Sequence, residues 1–133
     1  MKTRIQTSPP RTLIVDDSET FLTTLHRILT IQGVVDVVGT ATGGREALEK
    51  ASTLTPDLVL MDLNMPGLDG LQTTLLLRQR IPNSRVIIMT AVETATLSAF
   101  CQTHGAHGFV SKHEMLSTLS VEIQRLFPVV SAA

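Results

Sequence analysis

Short apolar runs alternate along the chain with longer segments in which apolar residues recur every three or four positions. A wholly apolar run is typical of a strand covered on both faces of a sheet, and the longer spacing is typical of an amphipathic helix. Five such pairs follow one another, with the short runs at residues 13–15, 34–38, 58–61, 86–89 and 108–111; Asp36 interrupts the second run and Ser111 ends the fifth. The pattern predicts an α/β fold, a (βα)5 arrangement around a doubly wound, five-stranded parallel sheet.

The periodic segments carry boundary signals and define one shared face for each helix. Ser18 is a suitable N-cap for the first helix and Gly33 is a suitable residue to end it, whereas Pro56 stops the second helix. The positions that define the five faces are Phe21, Leu22, Leu25, Ile28 and Leu29; Ala47, Leu48, Ala51 and Leu54; Leu71, Leu75 and Arg78; Leu97, Phe100, Cys101 and His104; and Leu116, Leu119, Ile123 and Leu126.

Polar residues stand directly after four of the five predicted strands: Asp16 and Asp17, Asp62, Thr90 and Lys112. Each type is common there for ordinary reasons, since an Asp often caps a helix, a Thr favours strands and a Lys is usually a surface charge. Doubly wound parallel sheets, however, bind ligands outside the carboxyl ends of their strands. We therefore predict that these residues converge on one crevice.

Three carboxylates in one crevice repel one another, so the trio of Asp16, Asp17 and Asp62 needs a cation or a proton. Oxygen ligands with room for water favour Mg²⁺, whereas zinc or copper would use Cys or His at metal-ligand spacing. The charges of three carboxylates, one Mg²⁺ and Lys112 cancel. A carboxylate beside Mg²⁺ can attack a phosphoryl group, so the site favours an aspartyl phosphate as its product.

Composition and charge argue against several other functions. Lys and Arg number 11 and Asp and Glu 12, so the formal net charge of -1 argues against direct binding of nucleic acid. The chain has neither Trp nor Tyr, which excludes an aromatic platform for bases, and its single cysteine, Cys101, excludes an internal disulfide. No apolar run is long enough to span a membrane, and residues 1–11 lack the apolar stretch of a secretory signal. We expect a cytoplasmic protein without membrane contact.

The residues at the strand ends and their neighbours resemble the receiver domain of two-component response regulators. The resemblance rests on Asp16-Asp17, on residues 61–70 (Met-Asp-Leu-Asn-Met-Pro-Gly-Leu-Asp-Gly), on Thr90-Ala91 and on residues 109–112 (Phe-Val-Ser-Lys). It covers residues 11–127 as one receiver domain of flavodoxin-like fold. Residues 1–10 are then expected to be a disordered or loosely ordered N-terminus, and residues 128–133 a tail or the start of a linker.

The resemblance implies a phosphoacceptor and a metal site. Asp62 would accept a phosphoryl group from a sensor histidine kinase or a phosphotransfer protein. Mg²⁺ would be the cofactor, with Asp17 and Asp62 as ligands through their side chains, Asn64 through its backbone carbonyl and Asp16 mostly through water.

The resemblance also implies a switch. Lys112 would pair with the phosphoryl oxygens, and Thr90 would hydrogen-bond to them after the transfer. The ring of Phe109 would then move into the space that Thr90 leaves, which would change the surface of the fourth helix, fifth strand and fifth helix. Such a chain is a signalling module that assists its own phosphorylation, not an enzyme with a turnover substrate.

Two local features narrow the resemblance. Many receivers have a cis proline after the Lys, whereas His113 follows Lys112 here; a cis bond before a non-proline residue costs about 3 kcal/mol, so the geometry of this peptide is left open. The non-proline residue and residues 37–41 and 105–109 are similar to receivers of the NarL/FixJ type, which are commonly fused to a C-terminal helix-turn-helix domain. The expected partner is such an output domain or a separate downstream protein, with a homodimer on phosphorylation as a further expectation.

Val92, two residues after Thr90, bears on the lifetime of the phosphorylated state. The resemblance places its side chain and that of Asn64 where a hydrolytic water would approach Asp62. Methyl groups cannot orient a water, so we predict a long-lived aspartyl phosphate.

Two alternative functions stay open. A phosphatase of the haloacid dehalogenase type shares the order of Asp, Thr and Lys, but it usually has a second Asp where this chain has Asn64. A receiver-fold interaction module without phosphorylation typically lacks one of the acids, the Thr or the Lys, and none is missing here.

Overall fold

The computed structural model describes residues 8–92 and 95–128, which form one five-stranded sheet with helices between consecutive strands. The strands are β1 (Arg11–Val15), β2 (Asp36–Ala41), β3 (Leu58–Asp62), β4 (Arg85–Thr90) and β5 (Gly108–Ser111). The helices are α1 (Glu19–Gln32), α2 (Gly44–Leu54), α3 (Gly70–Arg80), α4 (Ala95–Thr103) and α5 (Met115–Leu126), with a short 3-10 helix at Lys112–Glu114. All neighbouring strands pair in parallel in the order β2-β1-β3-β4-β5, which confirms the predicted doubly wound (βα)5 fold.

Each face of the sheet carries its own apolar core, because successive strand residues are buried on opposite sides. On one face Ile14, Leu60 and Ile87 pack with α1 and α5. On the other face Leu13 and Val59 pack with α2, α3 and α4. The three central strands are therefore covered on both sides, as their wholly apolar runs predict.

The order of the strands reverses between β1 and β3, and this positions a crevice at their carboxyl ends. The chain leaves β1 into α1 on one face and leaves β3 toward α3 on the other face. Because the two connections diverge, the edge between the strand ends stays open to a ligand.

The predicted boundaries of α1 are confirmed. The N–H of Phe21 donates to Oγ of Ser18 at 3.2 Å, as expected for an N-cap, and Gly33 ends the helix in the left-handed region with a φ of 67°. β2 differs from the predicted run 34–38, since it begins at Asp36 and continues to Ala41. Because Gly33 closes α1, the next two residues form the turn into the sheet, and the first ladder bond is the one from N–H of Asp36 to the carbonyl of Pro10.

The predicted face of α3 is wrong. Leu75 is 42% exposed, whereas Thr73, Thr74 and Leu77 are buried. The two threonines can be buried because their hydroxyls donate to the carbonyls of Asp69 and Gly70, four residues earlier, each at 2.7 Å. Small buried residues let α3 lie close to α2.

Two smaller differences concern the last helices. In α5 the buried residue of the first turn is Met115, and the predicted Leu116 is 69% exposed. In α4 Cys101 is fully buried, but Phe100 is half exposed. Both helices therefore carry exposed apolar side chains that the periodicity assigned to the core.

No helix in the described ranges is long and apolar enough to cross a membrane. The N-terminus expected to be loosely ordered falls mainly on residues 1–7, and the tail falls mainly on 129–133; both lie outside the described residues.

Candidate functional site

Three aspartates meet at the carboxyl ends of β1 and β3. Carboxylate oxygens of Asp16, Asp17 and Asp62 all lie within 4.8 Å of one another. Asp16 and Asp62 are buried, and Asp17 is exposed. The predicted cluster is therefore present, with two acids inside the protein and one at its opening to solvent.

Lys112 follows the edge strand β5 and extends its side chain to the acid cluster. Its Nζ lies 2.6 Å from Oδ2 of Asp16 and 3.2 Å from Oδ1 of Asp62. The side chain is 21% exposed, and the ring of Phe21 lies beside the ammonium group with its centroid 4.3 Å from Nζ. One cation thus contacts two buried carboxylates and an aromatic face.

Asp16 links this ion pair to the start of α1. Its Oδ1 accepts the N–H of Ser18 at 2.9 Å, while its Oδ2 accepts the hydrogen bond from Lys112. Ser18 is itself the N-cap of α1. The position of the Lys112 ammonium is therefore coupled to the first turn of that helix.

Burial and like charge disfavour the ionised form of Asp62. Burial, followed by the negative charge of Asp16, raises the pKa of Asp62 to about 6, although Lys112 pulls it down. Burial works against the charge of Lys112, but its hydrogen bond to Asp16 and its attraction to Asp62 are stronger and raise the pKa of Lys112. A buried carboxylate that is reluctant to ionise beside a fully charged lysine is a feature of reactive sites.

Thr90 ends β4 and is fully buried; it follows Met89, the residue of β4 that pairs with Asp62. Its Oγ1 accepts the backbone N–H of Val92 at 3.2 Å. Because the oxygen is the acceptor in this bond, the hydroxyl hydrogen remains to be donated elsewhere. Phe109, three residues before Lys112, is half-buried and packs against the core layer that contains α3 and α4.

Two further residues singled out from the sequence, Asn64 and Val92, lie at the rim of the crevice, by which we mean its solvent-exposed edge. Asn64 is exposed in the loop that follows β3, and Val92 is 60% exposed.

The peptide between Lys112 and His113 is trans, since no cis peptide bond occurs in the described part of the chain. There Oγ of Ser111 accepts the N–H of His113 at 3.2 Å and starts the 3-10 helix.

The loop from Asp62 to α3 depends on a close backbone approach. Gly70 opens α3, and a Cβ added to it would overlap the carbonyl oxygen of Asp62 and lie 2.8 Å from Cα of Leu63. Asp69 and Gln72 form a reciprocal capping box at the same helix start, with bonds of 2.8 and 3.0 Å. The backbone next to Asp62 is thereby held against the first turn of α3.

Sequence reasoning missed two residues of this site. The helical spacing assigns Phe21 only to the buried face of α1, and nothing in that spacing indicates that its ring lies on Lys112. The sequence predicts only a loop at Gly70, and no local pattern there indicates its close approach to the backbone of Asp62.

A family model described as the response regulator receiver domain matches residues 12–124. Among curated proteins, response regulator GacA of Pseudomonas viridiflava is 36% identical over 117 residues, which cover 88% of this chain and 55% of that protein. The nitrate/nitrite response regulator protein NarL of Escherichia coli (strain K12) is 29% identical over 136 residues, covering 94% of this chain and 63% of NarL. This chain thus spans somewhat more than half the length of these two relatives.

Solved structures of receiver domains are similar to this chain in fold. The signal receiver domain of a NarL response regulator from Mycobacterium tuberculosis superimposes with a TM-score of 0.75 at 31% identity, covering 89% of this chain and 92% of the other. A chain from the CheX-CheY-BeF3-Mg+2 complex of Borrelia burgdorferi gives a TM-score of 0.82 at 29% identity, covering 90% of both chains.

Proposed function

This chain belongs to the response regulator receiver domain family, and on that basis we propose that it is a phosphorylation-dependent switch whose Asp62 accepts a phosphoryl group. The donor would be a sensor histidine kinase or a phosphotransfer protein. The observation that carries the proposal is the position of Asp62: its carboxylate is buried at the crevice, close to two other carboxylates and 3.2 Å from the ammonium of Lys112. The match to receivers, together with Asn64 two residues after Asp62, argues against a phosphatase of the haloacid dehalogenase type.

The donor atoms of the acid cluster fit Mg²⁺. They are carboxylate oxygens without a Cys or His among them, and the exposed Asp17 leaves one side open to the water that Mg²⁺ retains. We propose that Asp17 and Asp62 would hold the ion through their side chains, Asn64 through its backbone carbonyl, and Asp16 mostly through water. When bound, the ion supplies positive charge to the crevice and to the transferred oxygens.

In the proposed transfer, one Oδ atom of ionised Asp62 attacks phosphorus. A phosphorus–oxygen bond forms while the bond from phosphorus to the donor nitrogen or oxygen breaks, and its electron pair leaves with the donor. Lys112 faces the oxygens that gain charge, because its Nζ already lies beside Asp62. The carboxylate must be ionised to react, so a pKa of about 6 is compatible with reaction near neutral pH.

The phosphorylated state would be read by Thr90 and Phe109. Thr90 can donate its hydroxyl hydrogen to a phosphoryl oxygen, since its oxygen only accepts from Val92. A shift of Thr90 toward Asp62 would open space near the half-buried ring of Phe109, and the surface of α4, β5 and α5 would change with it.

The output of the switch lies with a partner. GacA and NarL are response regulators, and a third relative is named DNA-binding transcriptional activator EvgA, 30% identical over 112 residues and matched over 54% of its length. We propose that this receiver passes its state to a fused output domain or to a separate protein, and that the receiver itself does not contact nucleic acid. Association of two phosphorylated copies belongs to the same proposal.

The test is phosphorylation by a small acyl phosphate in the presence of Mg²⁺, followed by intact-mass and peptide mass spectrometry. We expect one phosphoryl group on Asp62, none on Asp62→Asn, and normal uptake by Asp57→Asn, which makes the same change at the other end of β3. Equal labelling of Asp62→Asn and the wild type would refute the assignment. Lys112→Ala should still accept some phosphoryl group but lose the accompanying change in the amide NMR shifts of α4, β5 and α5.

A further inference from the structure

We propose that Phe21 is a positioning residue for Lys112 and that its ring holds the ammonium group at the acid cluster. The centroid of the ring lies 4.3 Å from Nζ of Lys112. This distance is well inside the range in which an aromatic face attracts a cation. The inference rests on the proposed function, because it gives Lys112 a part in phosphoryl transfer.

The ring is held by the same segment that supplies the acids. Phe21 lies in the first turn of α1, where its N–H donates to Oγ of Ser18. The N–H of Ser18 in turn donates to Oδ1 of Asp16, whose other oxygen binds Lys112. A single stretch of six residues therefore presents both a carboxylate and an aromatic face to one ammonium group.

The ring contributes something that the carboxylates do not. Nζ of Lys112 lies 2.6 Å from Asp16 and 3.2 Å from Asp62, so the resting lysine is nearer to the end of β1 while it still contacts the proposed phosphoacceptor. Once Asp62 carries a phosphoryl group, the ammonium must turn toward the new oxygens. The attraction of an aromatic face does not depend on one hydrogen-bond direction, so Lys112 can turn between these partners while it stays in contact with the ring.

An ordinary packing role makes different predictions. The ring of Phe21 is partly buried against the core between the sheet and α1 and α5. If packing were its whole role, Phe21→Leu would lower stability but would leave the surroundings of Lys112 and the transfer chemistry unchanged. Phe21→Tyr, which keeps an aromatic face, would show no special advantage.

The first readout is geometric and needs no phosphorylation. Nζ of Lys112 lies over the ring, so NMR of the full chain should show the protons on the adjacent Cε shifted upfield. The shift should persist in Phe21→Tyr and disappear in Phe21→Leu. Unchanged proton shifts in Phe21→Leu would overturn the proposal.

The second readout is kinetic. We expect Phe21→Leu to slow phosphorylation of Asp62 by the small donor about 2- to 5-fold, as expected for loss of one cation–aromatic contact. Phe21→Tyr, which keeps the aromatic face, should accept the phosphoryl group at the wild-type rate. In a Lys112→Ala background the same Leu substitution should have no further effect, because the group that the ring positions is gone.

A matched control separates stability from positioning. Ile28→Ala removes a half-buried apolar side chain from the same helix, two turns further from Lys112. It should lower the unfolding midpoint without changing the rate of phosphorylation or the Lys112 proton shifts. If it slows transfer as much as Phe21→Leu does, the effect is one of stability and the proposal is wrong. If the wild type accepts no phosphoryl group, the proposed function fails, and the proton shifts alone still decide whether Phe21 holds Lys112.

Discussion

Oδ2 of Asp16 lies 2.6 Å from Nζ of Lys112, although 96 positions separate the two residues in the chain. Asp16 follows β1 and Lys112 follows β5, and two other strands lie between these strands in the sheet. The lysine side chain therefore reaches over the ends of β3 and β4 to form the pair. Because Asp62 ends β3, it lies beneath this connection, and its charge is felt by both partners.

The ionised form of Asp62 should destabilise the native protein when no metal is bound. Folding raises its pKa from an ordinary value of 3.8 to about 6, so the folded state favours the protonated carboxyl. The contribution of the protonated Asp62 carboxyl to the free energy of unfolding is therefore fully present below pH 3.8. It is lost as the pH rises through 6. We expect Asp62→Asn to be more stable than the wild type by about 2 to 3 kcal/mol at pH 7.

Urea unfolding at pH 7 and pH 4, in a buffer that contains a metal chelator, measures this difference. The advantage of Asp62→Asn should largely disappear at pH 4, where the wild-type carboxyl is protonated. Asp36→Asn, which removes an exposed charge at the start of β2, serves as the control. An equal advantage of Asp62→Asn at both pH values would contradict the electrostatic explanation.

The fold was predictable because strand and helix patterns were strong over most of the chain. Short, mostly apolar runs separated by helical segments favour strands covered on both faces, and that alternation predicts the parallel sheet. The face of α3 was not predictable from apolar spacing. There the core is built from Thr73 and Thr74, whose hydroxyls bond to the preceding turn, and hydropathy does not distinguish such threonines from exposed ones.

The gathering of the candidate site residues was also predictable in outline. Strand-end positions place Asp16, Asp62 and Lys112 at one edge, because parallel strands end on the same side. The sequence could not predict that Lys112 lies closer to Asp16 than to Asp62, because this depends on how a flexible side chain crosses the ends of two strands. The contact with Phe21 likewise depends on the orientation of α1, which no local pattern encodes.

Mg²⁺ should bind at the acid cluster with modest affinity, since it retains several waters and only a few protein oxygens are available. Titration followed by amide NMR should shift the signals of residues 16, 17, 62 and 64. Asp17→Asn should weaken the binding by about tenfold or more, because even changes around a metal ligand commonly cost that much. Shifts that spare these residues, or an unchanged affinity of Asp17→Asn, would count against the site.

His107 should make the protein less stable in acid. Its Nδ1 accepts the N–H of Val86 at 3.0 Å, and its Nε2 lies 2.7 Å from Nη1 of Arg78. Burial, followed by the charges of Arg78, Arg85 and Arg125, lowers the pKa of His107 to about 4. The folded state thus favours the neutral ring, and its stabilisation is complete above pH 6.5 and is lost as the pH falls toward 4.

The comparison for this prediction is His107→Asn, whose side-chain oxygen can still accept the N–H of Val86. Between pH 7 and pH 4.5 we expect the wild type to lose about 1 to 2 kcal/mol more than the variant, after allowance for the partial exposure of the ring. Other histidines are common to both proteins and cancel. Stability is measured by denaturant unfolding at each pH. If the wild type and His107→Asn lose stability in parallel as the pH falls, His107 is not the cause of the acid sensitivity.

Gly70→Ala should disturb the backbone that carries Asp62. The added Cβ would overlap the carbonyl oxygen of Asp62, and a rigid backbone cannot move aside as the end of a side chain can. We expect a loss of about 1 to 3 kcal/mol in unfolding free energy and slower phosphorylation. Gly43→Ser is the control, because a Cβ there meets nothing within 4 Å and serine suits the N-cap of α2. Equal stability of the two variants would show that the close approach is not required.

The lifetime of the aspartyl phosphate should depend on Val92. Hydrolysis needs a water in line with the bond from Asp62 to phosphorus, and a side chain at the rim can orient that water only if it accepts or donates a hydrogen bond. Val92 is at the rim, since its N–H bonds to Thr90 and its side chain is 60% exposed, but it offers only methyl groups. We therefore expect slow loss of the phosphoryl group from the wild type.

Val92→Glu should accelerate that loss. A carboxylate at the rim can accept a hydrogen bond from the attacking water, and lowering the hydrolysis barrier by about 1 to 2 kcal/mol speeds the loss roughly 5- to 30-fold. Decay is followed by mass spectrometry after removal of the small donor. Val121→Glu is a matched control, because Val121 is 61% exposed but lies on α5, so it receives the same change of charge away from the rim. If Val92→Glu leaves the decay unchanged, or if Val121→Glu accelerates it as much, the side chain at position 92 does not control access of water to Asp62.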